Sequence, residues 1–527
     1  MAQAKRPNFL FIIADQLRAD HLGCYGNSVV RTPNIDRLAA EAFVADRFYV
    51  ASPICMPNRA SLLTGRMPSL HGVRHNGIPL SLRASNFVER LRQNGYRTAL
   101  VGKSHLQNMT GNPAFWPRDP AERARGEAMA DDGGRYDQEW KPNWRARPDY
   151  DVDLPFYGFD TVRLTIEHGD DLEGHYRRWL RAQRADGDML VGRENAIPTP
   201  GLALGEARQA WRTRLPPELH PTWYCARMSE DFLDAAAAGG APFFLMCSFA
   251  DPHHPFTPPG EYWDMYRPAD IALSRAFREG AKRPPPHVAR LLAERDAGRA
   301  VKHTPQLFGC TEAEAREAIA LNYGSISFID VAVGRLLAKL EALGLAEDTV
   351  VIFTSDHGDF MGDHQLLLKG PIHYRGLILS PLIWRDPVAR ARRSAALMSA
   401  IDMAPTILGR AGLQPFNGVQ GRSFAPVVAG EAAAHHPELV VEEEGQRPQV
   451  GFDSRVRMRS LVTERHRLSL YDGVPWGELY DLADDPDELV NLWDDPASAR
   501  LRAELVLRLA HRMIALSETS PYPTAAA

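Results

Sequence analysis

Cys55-Met56-Pro57-Asn58-Arg59 joins a nucleophile, a proline and a permanent cation within five residues. Ser52-Pro53 precedes the stretch and Ala60-Ser61-Leu62-Leu63-Thr64-Gly65-Arg66 follows it. Pro57 favours a first helical turn, and Gly65 is a natural helix stop. The spacing therefore predicts a short helix with Cys55 at its N-terminus, where free N–H groups and the positive dipole end favour an anion. Arg59 falls one turn in, on the same side. Together these features describe a site for a tetrahedral oxyanion such as sulfate or phosphate. A free cysteine is ordinarily a small buried hydrophobe, but its flanking residues argue for function here.

Four further clusters carry ligand-type side chains: Asp15-Gln16, Lys103-Ser104-His105, Asp251-Pro252-His253-His254 and Asp356-His357-Gly358-Asp359. Each follows at once on an apolar run, Phe9–Ala14, Thr98–Gly102, Phe243–Phe249 and Thr349–Thr354 respectively. The runs are continuous rather than alternating, as in parallel strands covered by helices on both faces. In an open parallel sheet, sites form beyond the carboxyl ends of strands. Any one cluster is explained by a polar loop capping the next helix; four at four strand ends predict one shared crevice. Asp15 and Asp356 supply hard oxygen donors, and Gln16 and His357 add neutral ones. Such a set suits one divalent cation, calcium, magnesium or manganese. That ion would polarise an oxyanion and activate a nucleophile at residue 55.

The elements that must position these clusters are legible in outline. Thr32-Pro33 opens a helix with Ile35, Leu38, Ala39, Ala42 and Phe43 at spacings of three and four. Ile319 to Leu343 predicts a second, with Ile326, Ile329, Val333, Leu336, Leu337 and Leu340 on one face. Residues 110–218 are rich in Trp, Pro, Arg and Asp with little periodicity and are read as an insertion that covers the site or makes a subunit contact. Leu461 to Leu470 reads as an edge-forming antiparallel strand, and a closing helix is expected from Ala497 to Leu516. The acidic run Asp484 to Glu488 is a solvated turn rather than a second metal site. The expected fold class is α/β: a large, mostly parallel sheet flanked by helices, with a smaller C-terminal α+β subdomain carrying an antiparallel sheet. The catalytic part is expected over 1–440 and the subdomain over 441–527.

Composition narrows the class. The chain has 527 residues, 44% apolar and 24% charged, with a formal charge of −5. This is an ordinary core-forming balance, with nothing to attract nucleic acid or an anionic membrane. No apolar run approaches the ~18 residues of a membrane span. Five cysteines, at 24, 55, 225, 247 and 310, are odd in number and irregular in spacing, which fits a reducing compartment. Asp15 lies immediately after the first apolar run, so cleavage of a leader there would destroy the metal site. A cytoplasmic location is expected.

The residues from about Asn8 to the C-terminal region, the 110–218 stretch excepted, resemble the formylglycine-dependent sulfatases of the alkaline phosphatase superfamily. The resemblance implies an alkaline phosphatase-like fold and oxidation of Cys55 to the aldehyde formylglycine by a formylglycine-generating enzyme. Asn58 stands where serine is common. Asp15-Gln16 and Asp356-His357 look like the choline sulfatase and phosphonate monoester hydrolase branch, and an imidazole ligand tilts the metal towards manganese. Lys103 and His105 match a Gly-Lys-x-His segment that faces the aldehyde and substrate. His253, in Pro252-His253-His254-Pro255-Phe256, matches a histidine that protonates the leaving oxygen, with His254 its neighbour and alternative. Lys369 matches a substrate-binding lysine, and Asn76 fits a substrate contact. A small antiparallel sheet around Trp476–Leu482 and a closing helix match the family's C-terminal subdomain.

The implied chemistry is attack on a sulfate monoester, aryl or alkyl, by the hydrated aldehyde. Arg59, Lys103, Lys369 and the metal would offset charge on the non-bridging oxygens. His253 or Lys369 would protonate the leaving group, and His105 would help expel sulfate. The first alternative is a phosphonate monoester hydrolase or phosphodiesterase with the same machinery; the second is a metal-binding scaffold without turnover. A homo-oligomer is a further expectation of the resemblance.

Overall fold

The computed structural model describes residues 6–112, 127–128, 130–303, 305–447, 449 and 451–525. Its spine is a sheet in which Thr349–Ser355, Asn8–Ala14, Phe243–Ser248, Arg97–Gly102 and Thr161–Ile166 lie side by side in that order, all parallel. The four predicted strands are thus consecutive neighbours at its centre. Leu379–Arg385 joins antiparallel on one flank and connects to Phe43–Tyr49, with Arg392–Ser394 beyond it. The sheet is large and mostly parallel.

The central strands are buried on both faces, which is why their sequences do not alternate. In the first strand, Leu10 and Ile12 enter one core cluster, and Phe9, Phe11 and Ile13 enter the other. The first cluster takes in two long helices, Pro221–Gly239 and Glu312–Ala342. The latter begins seven residues before the predicted Ile319. Thr311 caps it with a reciprocal Glu314 contact, a capping box that the apolar periodicity alone does not mark. Pro33–Ala40 starts after Thr32, as the Thr-Pro pair predicts.

A second sheet is wholly antiparallel: Glu438–Glu444, Arg457–Thr463, His466–Tyr471 and Gly477–Asp481, in chain order. The single strand read over Leu461–Leu470 is in fact a hairpin, turned at Glu464-Arg465. Its first strand starts at Glu438, so the 440/441 boundary falls inside a strand. The closing helix is Ala499–Ala515, after a single turn at Pro496–Ser498. Leu461, Leu468, Leu479, Leu505 and Leu509 share a core cluster with Met56 and Leu62 of the Cys55 helix, so the small sheet and the closing helix pack into the same core. Part of 110–218 is built into the main sheet, as the strand Thr161–Ile166; residues 113–126 and 129 of that stretch lie outside the described residues. Among the described residues no helix is long and apolar enough to cross a membrane.

Candidate active site

Helix Cys55–Thr64 starts at the cysteine and ends at Gly65, whose left-handed φ of 67° only glycine adopts at little cost. No side chain of Ile54 caps it; instead Asn76 Oδ1 accepts a hydrogen bond from the Met56 N–H at 3.1 Å. Asn58 fastens the helix to its surroundings: its Oδ1 accepts from the Ala51 N–H at 2.8 Å, and its Nδ2 donates to the Asp356 carbonyl. Arg59 is fully buried. Its Nε lies 2.8 Å from Asp356 Oδ2, and its Nη1 donates to the Lys103 carbonyl and to Ser248 Oγ. The guanidinium thus joins three strand ends, while its Nη2 has no partner among the described residues.

The strand ends bring the acidic groups to the same place. Asp15 follows the first strand and Asp356 the neighbouring one, with the Asp356 N–H donating to the Ala14 carbonyl. Around Cys55 Sγ stand His357 Nε2 at 3.1 Å and Asp15 Oδ1 at 3.7 Å, and His357 Nε2 lies 3.8 Å from Asp356 Oδ1. His357 Nδ1 is 2.8 Å from the Gly358 carbonyl, which only accepts. Nδ1 thus carries a proton, and in the neutral ring Nε2 turns a lone pair on the two carboxylates, the orientation expected of a metal-binding imidazole. Ligand atoms about 2.0–2.5 Å from one ion stand about 3–4 Å apart, which is the spacing here. Two carboxylates, an imidazole nitrogen and a sulfur converge here, a donor set that fits a divalent cation.

Gln16 has a left-handed φ of 62°, a strained conformation for a non-glycine residue. Its N–H donates to Asp356 Oδ1 at 3.0 Å. Its amide nitrogen faces Asp359 and His254, so its Oε1 is the atom turned inward, 2.7 Å from Lys369 Nζ.

Two lysines balance this acidity. Lys369 Nζ stands 3.1 Å from Cys55 Sγ, 3.2 Å from His357 Nε2 and 3.0 Å from His253 Nε2. An ammonium has three protons, and with Gln16 four acceptors surround this one, which marks the spot as a focus of lone pairs. Lys103 is ion-paired with Asp15, both fully buried. Burial pushes the Asp15 carboxyl up, but Lys103 and the neighbouring histidines outweigh it and hold the carboxyl well below its ordinary value. Burial and Asp15 likewise raise the Cys55 thiol; Lys103, Lys369 and His357 reverse this and bring it to about 6. His105 and His253 are held well below the ordinary histidine value, first by burial and then by nearby cationic groups, so both are neutral. A cavity of about 650 Å³ opens over this floor, lined by Cys55, Asn76, His105, His253 and Lys369 and walled by Glu443 and Glu444 of the small sheet.

The residues match the sulfatase family over 7–413, and a family described as N-sulphoglucosamine sulphohydrolase, C-terminal, over 362–515. The chain belongs to the sulfatase family. An arylsulfatase of Clostridium perfringens is 28% identical to it over 92% of this chain and 90% of its own. The multifunctional alkaline phosphatase superfamily protein PehA of Trinickia caryophylli is 30% identical, covering 94% and 93%. Among solved structures, the phosphonate monoester hydrolase of Agrobacterium radiobacter superposes with a TM-score of 0.73 at 28% identity, over 96% of both chains.

In this sulfatase the structure brings Cys55, Asn76, His105, His253 and Lys369 to the lining of one cavity, with Asp15, Gln16, Arg59, Lys103, Asp356 and His357 buried beneath them. His254 stacks under His253, at 4.1 Å between ring centres, and bonds Gln16. Three further residues belong to the same assembly: Asp359, named in its cluster but given no role from sequence, and Glu139 and His168, which sequence reasoning did not single out. Asp359 orients Gln16 and accepts from the Met361 and Leu368 N–H groups. Glu139 accepts from the N–H groups of His105, Leu106 and Gln107 and so holds the His105 loop. His168 contacts Lys103 and stacks on His253. The signal for His168 was present: it follows the strand Thr161–Ile166 just as the other clusters follow theirs.

A second grouping, Asp402 with His435 and His436, lies outside the cavity. Arg422 Nη2 stands 3.2 Å from His436 Nδ1, so the proton of this neutral ring is on Nε2, directed at Asp402. Asp402 also accepts the Ser399 and Arg422 N–H groups. Asp402 thus serves as a buried hydrogen-bond hub at this point of the fold.

Proposed function

We propose that this sulfatase hydrolyses aryl or alkyl sulfate monoesters in the cavity above Cys55. The observation that carries the reading is the approach of Cys55 Sγ, His357 Nε2 and Lys369 Nζ to within 3.2 Å of one another, beside Asp15. In the active enzyme Cys55 is converted by a formylglycine-generating enzyme; the hydrated aldehyde supplies one hydroxyl to attack sulfur and a second through which sulfate is released. Asp15, Gln16, Asp356, His357 and residue 55 would hold one divalent ion, calcium, manganese or magnesium, which would supply charge neutralisation at the nucleophile.

The remaining work falls to side chains. Lys103 and Lys369 face the non-bridging oxygens, where preorganised positive charge acts most strongly in a site closed to water. Asn76 engages the Met56 N–H through Oδ1 and keeps Nδ2 for the substrate. Arg59 acts through Asp356, fixing its carboxylate. The proton for the leaving oxygen comes from Lys369, passed through the Nε2 lone pair of neutral His253, which accepts from Lys369 Nζ at 3.0 Å. Neutral His105, whose Nδ1 has no partner among the described residues, accepts the proton lost when sulfate is expelled. We place the enzyme in the cytoplasm, consistent with five unpaired cysteines.

A second reading, phosphonate monoester hydrolysis, is favoured by the Gln16 and His357 side chains and by the fold of the Agrobacterium radiobacter enzyme. Lys103 and His105, a cationic and a neutral nitrogen at the opposite wall, favour sulfate. Comparing kcat/KM on 4-nitrophenyl sulfate and on a 4-nitrophenyl phosphonate monoester decides between them. The sulfate ester is expected to be preferred; a strong preference for the phosphonate overturns the ordering.

A further inference from the structure

His168 has no part in the chemistry above, yet its ring meets three groups that do. It stacks on His253 at 3.7 Å between ring centres and 17° between planes. Its Nε2 lies 2.6 Å from Lys103 Nζ and 3.3 Å from Asp15 Oδ2. An ammonium can only donate, so Nε2 supplies a lone pair and Lys103 bridges it to Asp15.

The loop that presents His168 is built for the purpose. Glu167 has a φ of 87°, outside the usual range for a non-glycine residue; such strain persists only where surrounding structure imposes it. Gly169, with a φ of 69°, lies against Pro255, and a Cβ there would come 2.9 Å from Pro255 Cγ. Pro255 closes the segment that carries His253 and His254. The loop therefore grips the His253 segment twice, once by ring stacking and once by close backbone approach. His253 becomes the middle of three stacked imidazoles, His168, His253 and His254. One of its nitrogens, Nδ1, is tied to the His254 carbonyl, which leaves Nε2 facing Lys369. Without His168, one face of that ring opens onto the cavity, and its rotamer is no longer set by packing.

We propose that His168 is a positioning residue that holds the His253 ring in the orientation from which Nε2 passes the Lys369 proton to the leaving oxygen. The inference rests on the assignment of His253 as the general acid. The test is a leaving-group series on the mature metal-loaded enzyme, from 4-nitrophenyl sulfate, whose nitrophenolate departs without a proton, to phenyl sulfate, whose phenolate needs one. His253→Ala should lose about 10²-fold more kcat on the phenyl ester than on the nitrophenyl ester. His168→Ala and His168→Asn should show the same bias, roughly 10-fold, because misplacing a catalytic group by about 1 Å is costly. Their retained turnover of the nitrophenyl ester reports an intact fold. A uniform loss along the series, with the bias kept in His253→Ala, means that His168 acts through Lys103 or only on stability, and overturns the proposal. No bias in His253→Ala removes the general-acid assignment itself, and the proposal with it.

Discussion

The arginine of the Cys55 motif illustrates what separates a residue's type from its role. Arg59 is fully buried against an equally buried Asp356, and an uncompensated charge in such a place is far costlier than the intact pair is stabilising. Arg59→Leu is therefore expected to destabilise the fold by about 3–5 kcal/mol, read as a lowered midpoint in urea, besides abolishing turnover. A mutant of unchanged stability would mean that Arg59 is free to face substrate. Lys369 is the opposite case, a cation in the cavity whose neighbours are all acceptors. Lys369→Ala should fold normally and lose about 10²–10³-fold in kcat on 4-nitrophenyl sulfate; a loss confined to KM would reduce it to ground-state binding. The identities of Asp15, Asp356 and His357 were legible because each lies in a short polar cluster after an apolar run, and Lys369 was legible only through the family resemblance. The direction in which Arg59 points was not, since motif spacing defines the side of a helix but not what packs there.

At the scale of elements, the rule that polar clusters follow buried strands found four of the five strand ends that build the site. The fifth, Thr161–Ile166, was passed over because it alternates: as an outer strand of the parallel group it carries exposed Arg163 on one side, and its neighbours in sequence lack periodicity. His168 was lost with it. Glycine at the end of Arg97–Gly102 shows how tightly these ends are drawn together. Gly102 has a φ of 105°, and a Cβ there would lie 1.9 Å from the Ser248 carbonyl oxygen. Gly102→Ala should push Lys103 away from Asp15, lowering the thermal midpoint and costing activity more than Arg59-independent surface substitutions do; a fully active, equally stable Gly102→Ala enzyme would show that the strand ends are not in fixed register. The C-terminal hairpin was missed for a simpler reason. Thr463 to His466 is a polar turn without glycine, asparagine or proline, so it broke the alternation without announcing itself.

At the scale of the whole molecule, the small sheet and the large one meet at the cavity wall, where Glu443 is buried with His373 at 3.2 Å as its hydrogen-bonding partner. Burial raises the Glu443 carboxyl from about 4.5 to about 8. A raised carboxyl contributes stability that is fully present below about 4.5 and is lost as pH climbs through about 8. The thermal midpoint of the wild type should thus fall between about pH 5 and about pH 9, and that of Glu443→Gln should fall less steeply; parallel curves would place the titration elsewhere. Metal removal acts on the same assembly from the other side. Chelation should abolish activity and lower the midpoint, and an ion present at about 100 times its Kd should restore about 2.7 kcal/mol of stability. Unchanged melting after chelation would count against Asp15 and Asp356 as shared ligands. The account depends most on what residue 55 becomes, and the mass of the peptide from Ala51 to Arg59, taken from active enzyme, measures it directly. The expected mass is lower than that of the encoded peptide by the difference between a thiol-bearing and an aldehyde-bearing side chain; an unaltered cysteine peptide in enzyme that turns over sulfate esters would contradict the mechanism.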